Sequence, residues 1–117
     1  MVDDDAAIRE LLREILADAG YLVLEARDGR EAMARCRENH VNLMITDLVM
    51  PEQEGIETIR LIRREFPAVK VIAISGAFGG EYLRVAELLG AHGTLQKPLS
   101  VDGVLQAVQQ TLGDLTA

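Results

Sequence analysis

The stretch "VNLMITDLVMPEQEGIETIRLIRREFPAVKVIAIS", Val41 to Ser75, holds two nearly unbroken aliphatic runs separated by one amphipathic segment. "VNLMIT" and "VKVIAIS" have the length of strands, and neither alternates apolar with polar residues as a strand solvated on one face does. Between them Ile56, Ile59 and Ile62 recur at helical spacing, which predicts a helix from about Gly55 to Glu65, with Pro67 marking its end. Buried strands alternating with amphipathic helices imply a parallel sheet covered on both faces.

The same alternation continues outward on both sides. Upstream, "IRELLREILADAG" puts Ile8, Leu11, Leu12, Ile15 and Ala19 on one helical face, and Gly20 supplies a left-handed cap. "YLVLEA" then reads as a buried strand and "GREAMARCREN" as a short helix facing inward with Ala32, Met33 and Cys36. Downstream, "GEYLRVAELLG" reads as a helix closed by Gly90 and "GTLQ" as a short strand. "SVDGVLQAVQQTL" reads as a last helix with Val101, Val104, Leu105, Val108 and Leu112 inward. The expected fold is therefore α/β: a doubly wound, flavodoxin-like, five-stranded parallel sheet in the order 2-1-3-4-5. Residues 1–117 are expected to form one domain, with the last few residues as a loose tail. Only Met1 and Val2 precede the first acids, so the first strand is expected to be shortened and the sheet to have a gap toward its amino-terminal end, between "YLVLEA" and "VNLMIT".

Composition narrows the function classes. Four Phe and Tyr residues and no Trp leave an aliphatic core, and a lone cysteine, Cys36, within a periodic apolar face reads as a buried thiol. A net charge of −7, with the twelve Lys and Arg scattered among acids, argues against a nucleic-acid footprint. No apolar run reaches the ~18 residues of a membrane span and no basic leader precedes a hydrophobic segment, so a cytoplasmic protein is expected.

In a sheet of this kind ligands bind beyond the carboxyl ends of the strands. The polar groups there are Asp3, Asp4 and Asp5 after "MV", Asp47 after "NLMIT", Ser75 after "VIAI", and Lys97 after "GTLQ". Singly, each has an ordinary role as helix cap, turn residue or surface lysine. Together, several carboxylates at one edge repel one another and call for a cation. Hard oxygen donors suit Mg²⁺ or Mn²⁺, and a lysine with a hydroxyl opposite the metal suits the oxygens of a phosphoryl group. An aspartate can itself accept that group as an acyl phosphate.

These segments, "VDDD", "TDLVMPEQEG", "ISGA" and "QKPL" in this order, resemble the receiver domain of a two-component response regulator over nearly the whole chain. The resemblance implies that Asp47 is the phosphoacceptor, Asp4 a direct metal ligand, Asp3 a ligand through water, and the Val49 backbone carbonyl a further ligand. It makes Ser75 the switch hydroxyl and Lys97 the lysine that pairs first with Asp47 and then with its phosphate. It implies a sensor histidine kinase or a histidine phosphotransfer protein as donor. It also leaves room for an output domain or partner protein on the face of the fourth helix, fifth strand and fifth helix, and for a homodimer. Catalysis is expected only of the chain's own Mg²⁺-dependent phosphorylation and dephosphorylation.

Three features depart from the family's pattern. Thr94 stands three positions before Lys97, where receivers usually carry an aromatic switch residue. Val49 and Ala77 offer nothing polar to hold an attacking water. The third is the brief start. Competing readings are an interaction module that works without phosphate, a small Mg²⁺ phosphohydrolase, and a flavodoxin-like cofactor carrier. Against the second, Val49 stands where such an enzyme needs an acid-base carboxylate; against the third, the first loop is acidic rather than Gly/Ser/Thr-rich.

Overall fold

The structure, a computed structural model, describes residues 6–26, 28–47, 52–75, 84, 87, 90–96 and 98–116; for 47, 52–56, 75 and 114–116 it describes the backbone alone. In chain order the elements are α1 (Ala6–Asp18), α2 (Gly29–Glu38), β1 (Leu43–Asp47), α3 (Glu52–Glu65), β2 (Lys70–Ser75), β3 (Gly93–Gln96) and α4 (Val101–Thr116). β1 pairs with β2 and β2 with β3, all parallel, in the order β1-β2-β3. These are the third, fourth and fifth strands expected from the sequence, in the expected order. The expected first strand lies outside the described residues, and of the second only Ala26 makes a bridge, while residues 21–25 belong to no ladder.

Strand side chains divide between two cores. Met44, Val71 and Ala73 face one side, with Ala32, Met33 and Cys36 of α2 and Ile59 and Ile62 of α3. Ile45, Ile72 and Ile74 face the other, with Leu12, Ile15 and Leu16 of α1 and Val104 and Val108 of α4. Helices cover both faces, which is why β2 from Val71 to Ile74 is apolar at every position and wholly buried.

Local signals explain three of the helix ends. The Gly20 N–H donates to the Ala17 carbonyl and the Tyr21 N–H to the Leu16 carbonyl, both at 3.0 Å, and Gly20 has φ +95°. This paired closure needs a left-handed residue, which glycine adopts without strain. Asp28 caps α2 by accepting the Glu31 N–H at 2.9 Å, and the Ser100 hydroxyl accepts the Gly103 N–H at 3.0 Å at the start of α4.

The structure corrects several sequence expectations. In α1 the buried stripe is Leu12, Ile15 and Leu16, whereas Leu11 is 39% exposed and Ala19 is exposed. With 3.6 residues per turn, Leu12 and Leu16 continue the line from Ile8, while Leu11 lies at its margin. α3 begins at Glu52, three residues before Gly55, so that two acidic residues, Glu52 and Glu54, belong to its first turn, as the helix dipole favours. Gly55 therefore lies within the helix rather than opening it. Val101 opens α4 at 53% exposure instead of facing inward. The expected helix "GEYLRVAELLG" falls largely outside the described residues; Arg84 and Glu87 are helical and Gly90 has φ +110°.

Candidate functional site

β1 ends on Asp47, β2 on Ser75 and β3 on Gln96, the residue before Lys97. The register sets these ends level. Asp47 lies opposite Ile74, one residue short of Ser75, and Ser75 lies opposite Gln96. Asp47 is thus the last residue of its strand, not the first of the loop after it. Segments far apart in sequence bring a carboxylate-bearing and a hydroxyl-bearing residue to one edge, with a lysine next in the chain after the third strand.

That level edge is fixed from the opposite end of the sheet. The Lys70 N–H donates to the Asn42 carbonyl at 3.0 Å where β1 and β2 begin to pair. The His92 N–H donates to the Val71 carbonyl at 2.7 Å, and the His92 Nδ1 accepts the Val71 N–H at 3.0 Å. Gly93 lets β3 lie close to the core, since a Cβ there would meet the Thr111 Oγ1 at 3.0 Å and the Ile72 Cγ1 at 3.4 Å. With both ladders pinned at their starts, the strand ends cannot slip by a residue without moving every side chain to the wrong face.

Of the residues implicated by sequence, Asp47 and Ser75 are placed by their backbones alone, and Asp3, Asp4, Val49 and Lys97 lie outside the described residues. Thr94, in the place of an aromatic switch residue, is half-buried on β3 opposite Ala73. Among the described residues no group of three His, Cys, Asp or Glu side chains could hold a metal ion. Of the ligands implied for Mg²⁺, the described residues include only Asp47, whose backbone β1 brings to this edge. Sequence reasoning passed over Thr46. It is wholly buried beside Asp47, and its Oγ1 has no hydrogen-bond partner among the described residues. A hydroxyl inside the apolar run "VNLMIT" was the available signal.

Comparison with known proteins agrees with this geometry. The sequence profile described as "Response regulator receiver domain" matches residues 1–109. The chemotaxis protein CheY of Thermotoga maritima is 34% identical over 113 residues, covering 94% of this chain and 92% of that protein. A CheY-like receiver domain protein from Methanospirillum hungatei superposes with a TM-score of 0.89 at 28% identity, over 98% of this chain and 92% of the other. NtrX from Brucella abortus, solved with ADP, superposes with a TM-score of 0.92 at 27% identity; 98% of this chain is covered, and it spans 26% of the NtrX chain.

Proposed function

This chain belongs to the response regulator receiver family of two-component signalling, and we propose that it takes a phosphoryl group from a histidine kinase or phosphotransfer protein onto Asp47. The observation that supports this most is the common level of the three strand ends at Asp47, Ser75 and Gln96. An Asp47 carboxylate oxygen attacks phosphorus, the N–P bond of the donor's phosphohistidine breaks, and the imidazole leaves with the electron pair and gains a proton. Asp4, Asp47 and the Val49 carbonyl, with Asp3 through a water, would hold Mg²⁺, which would supply neutralisation of phosphoryl charge. Lys97 holds the Asp47 carboxylate before transfer and a phosphoryl oxygen after it. The Ser75 hydroxyl donates to another phosphoryl oxygen, and that movement carries the signal to the surface around β3 and α4. The chain acts on no substrate besides its own aspartate, in the cytoplasm, and its output is the binding of another domain or protein, or of a second copy.

Labelling with acetyl phosphate and Mg²⁺, followed by mass mapping of the acyl phosphate, tests the assignment. Modification is expected at Asp47 alone and lost in Asp47→Asn; full labelling of that variant sinks it. Asp4→Ala removes the metal dependence, while Asp5→Ala leaves labelling nearly intact. Partner binding that is equal with and without phosphate would favour the phosphate-free interaction module instead.

A further inference from the structure

In a regular parallel ladder the N–H groups on the paired side of a strand are met by main-chain carbonyls of its neighbour. Val71 departs from this. Its carbonyl accepts the His92 N–H at 2.7 Å, but its own N–H donates to the His92 ring, 3.0 Å from Nδ1. The chain reaches this rung out of a left-handed turn at Gly90, φ +110°, whose N–H donates to the Glu87 carbonyl at 3.1 Å. The main chain ahead of β3 is turning rather than extended, and a side chain stands in for a main-chain acceptor where β2 and β3 begin to pair.

The substitute differs from a carbonyl in one respect: it titrates. A backbone N–H only donates, so Nδ1 must keep its lone pair free and the ring must be neutral, protonated on Nε2 alone. An imidazolium carries N–H on both nitrogens and would point a proton at the Val71 N–H. Protonation and this bond therefore exclude each other. The exchange between the two falls near the ordinary imidazole value of about 6.5, where no carbonyl changes its state.

The surroundings let the change occur. His92 is an exposed residue, so a proton reaches the ring without any opening of the core, whereas Val71 is wholly buried in β2. Its N–H can exchange the ring for water only if the start of β3 moves aside. Among the described residues the charged side chains on the segments around the ring are three. Lys70 precedes Val71 on β2, Glu87 precedes the turn, and Arg63 of α3 reaches Gly90, where an added Cβ would meet its Nε at 2.9 Å. From α4 the nearest described group is uncharged, the Thr111 hydroxyl set against Gly93.

We propose that His92 is a pH-sensitive latch on β3: the neutral ring pins the start of β3 to β2, and the protonated ring releases it while the rungs from Ile72 and Gly93 onward stay paired. The latch is complete where the ring is neutral, above about pH 6.5, and is lost as pH falls below that. β3 runs from this rung to Gln96, so the latch acts on a strand whose far end belongs to the edge described above.

Amide exchange at Val71 and the ring nitrogen shifts of His92, followed together by NMR on the whole chain from pH 8 to pH 5, test the latch. Exchange at each pH is divided by that of an unstructured amide, which removes the intrinsic pH dependence. Protection at Val71 is expected to fall about ten-fold, the scale of one such bond, at the pH where the His92 ring titrates, while protection at Ile74 holds. His92→Asn puts an oxygen that does not titrate near the place of Nδ1, and its Val71 protection should show no such fall. Constant protection in the parent, a fall that follows the titration of His40 instead, an equal fall at Ile74, or the same fall in His92→Asn overturns the proposal.

Discussion

The His92 Nδ1 accepts the Val71 backbone N–H at 3.0 Å while the His92 N–H donates to the Val71 carbonyl at 2.7 Å. One residue's ring and backbone together complete the first rung of the β2–β3 ladder, just before Ile72 and Gly93 begin regular pairing. The ring accepts only as the neutral tautomer protonated on Nε2. His92→Ala is expected to speed hydrogen exchange at the Val71 amide about ten-fold and to cost about 1 kcal/mol, the net worth of one such bond. An unchanged exchange rate would show that the register is set elsewhere.

Thr46 offers the opposite experiment. Its hydroxyl is buried and has no hydrogen-bond partner among the described residues. Thr46→Val keeps the shape and removes the polar atom, so it should stabilise the fold by about 1 kcal/mol. Thr46→Ser keeps the hydroxyl, loses a methyl and should destabilise by about 1 kcal/mol. Chemical denaturation of the two variants decides, and the reverse ranking would mean that the hydroxyl does have a partner.

Cys36 makes stability depend on alkaline pH. Burial raises its thiol above the ordinary value of 9.0, because the thiolate is the form that loses solvation. Above pH 9 the unfolded chain releases this proton while the folded chain keeps it, so the unfolded state is favoured. The contribution is complete below 9 and is lost as pH rises through the folded value. Urea midpoints from pH 7 to 10.5 should therefore fall less steeply in Cys36→Ala than in the parent, and parallel curves would contradict the assignment.

Loss of phosphate from Asp47 is expected to be slow for a receiver, since neither Val49 nor Ala77 has a polar group to orient water. Val49→Asn should quicken it several-fold without changing which residue is labelled. The check is the decay of acyl phosphate after the donor is removed. A rate equal to or below the parent's would place water access under other control.

How legible all this was in the sequence varies with the range of the physics. β2 was plain in "VKVIAIS" because a strand buried on both faces needs an apolar residue at every step. The Gly20 cap was plain because it depends on one residue and the turn before it. Leu11 was misplaced because a helix of alternating Leu and charge has two overlapping apolar lines, and only the position of the sheet chooses between them. The start of α3 is harder to read, because Gly55 looks like a helix opening while the acids before it already belong to the first turn. At the edge, Asp47 and Ser75 could be placed at strand ends from their segments alone; their mutual level could not, because it depends on register between strands 27 and 21 residues apart, read from Leu43↔Lys70 and Ile72↔Gly93. The His92 clamp was invisible for the same reason.

That register also governs when the edge comes into being during synthesis. Each ladder joins segments well separated along the chain: β1 waits for β2, which is made after α3, and β2 waits for β3. A chain emerging residue by residue from the ribosome therefore carries Asp47 for about fifty residues before the last strand can arrive, at roughly 5–20 residues per second. Once β2 is complete, and until β3 arrives, its aliphatic strand has no partner on its β3 side, and no shorter nascent chain holds all three strand ends. A nascent chain that has not yet reached Gln96 carries Asp47 without the strand that leads to Lys97, so the three-strand edge arrives late and all at once.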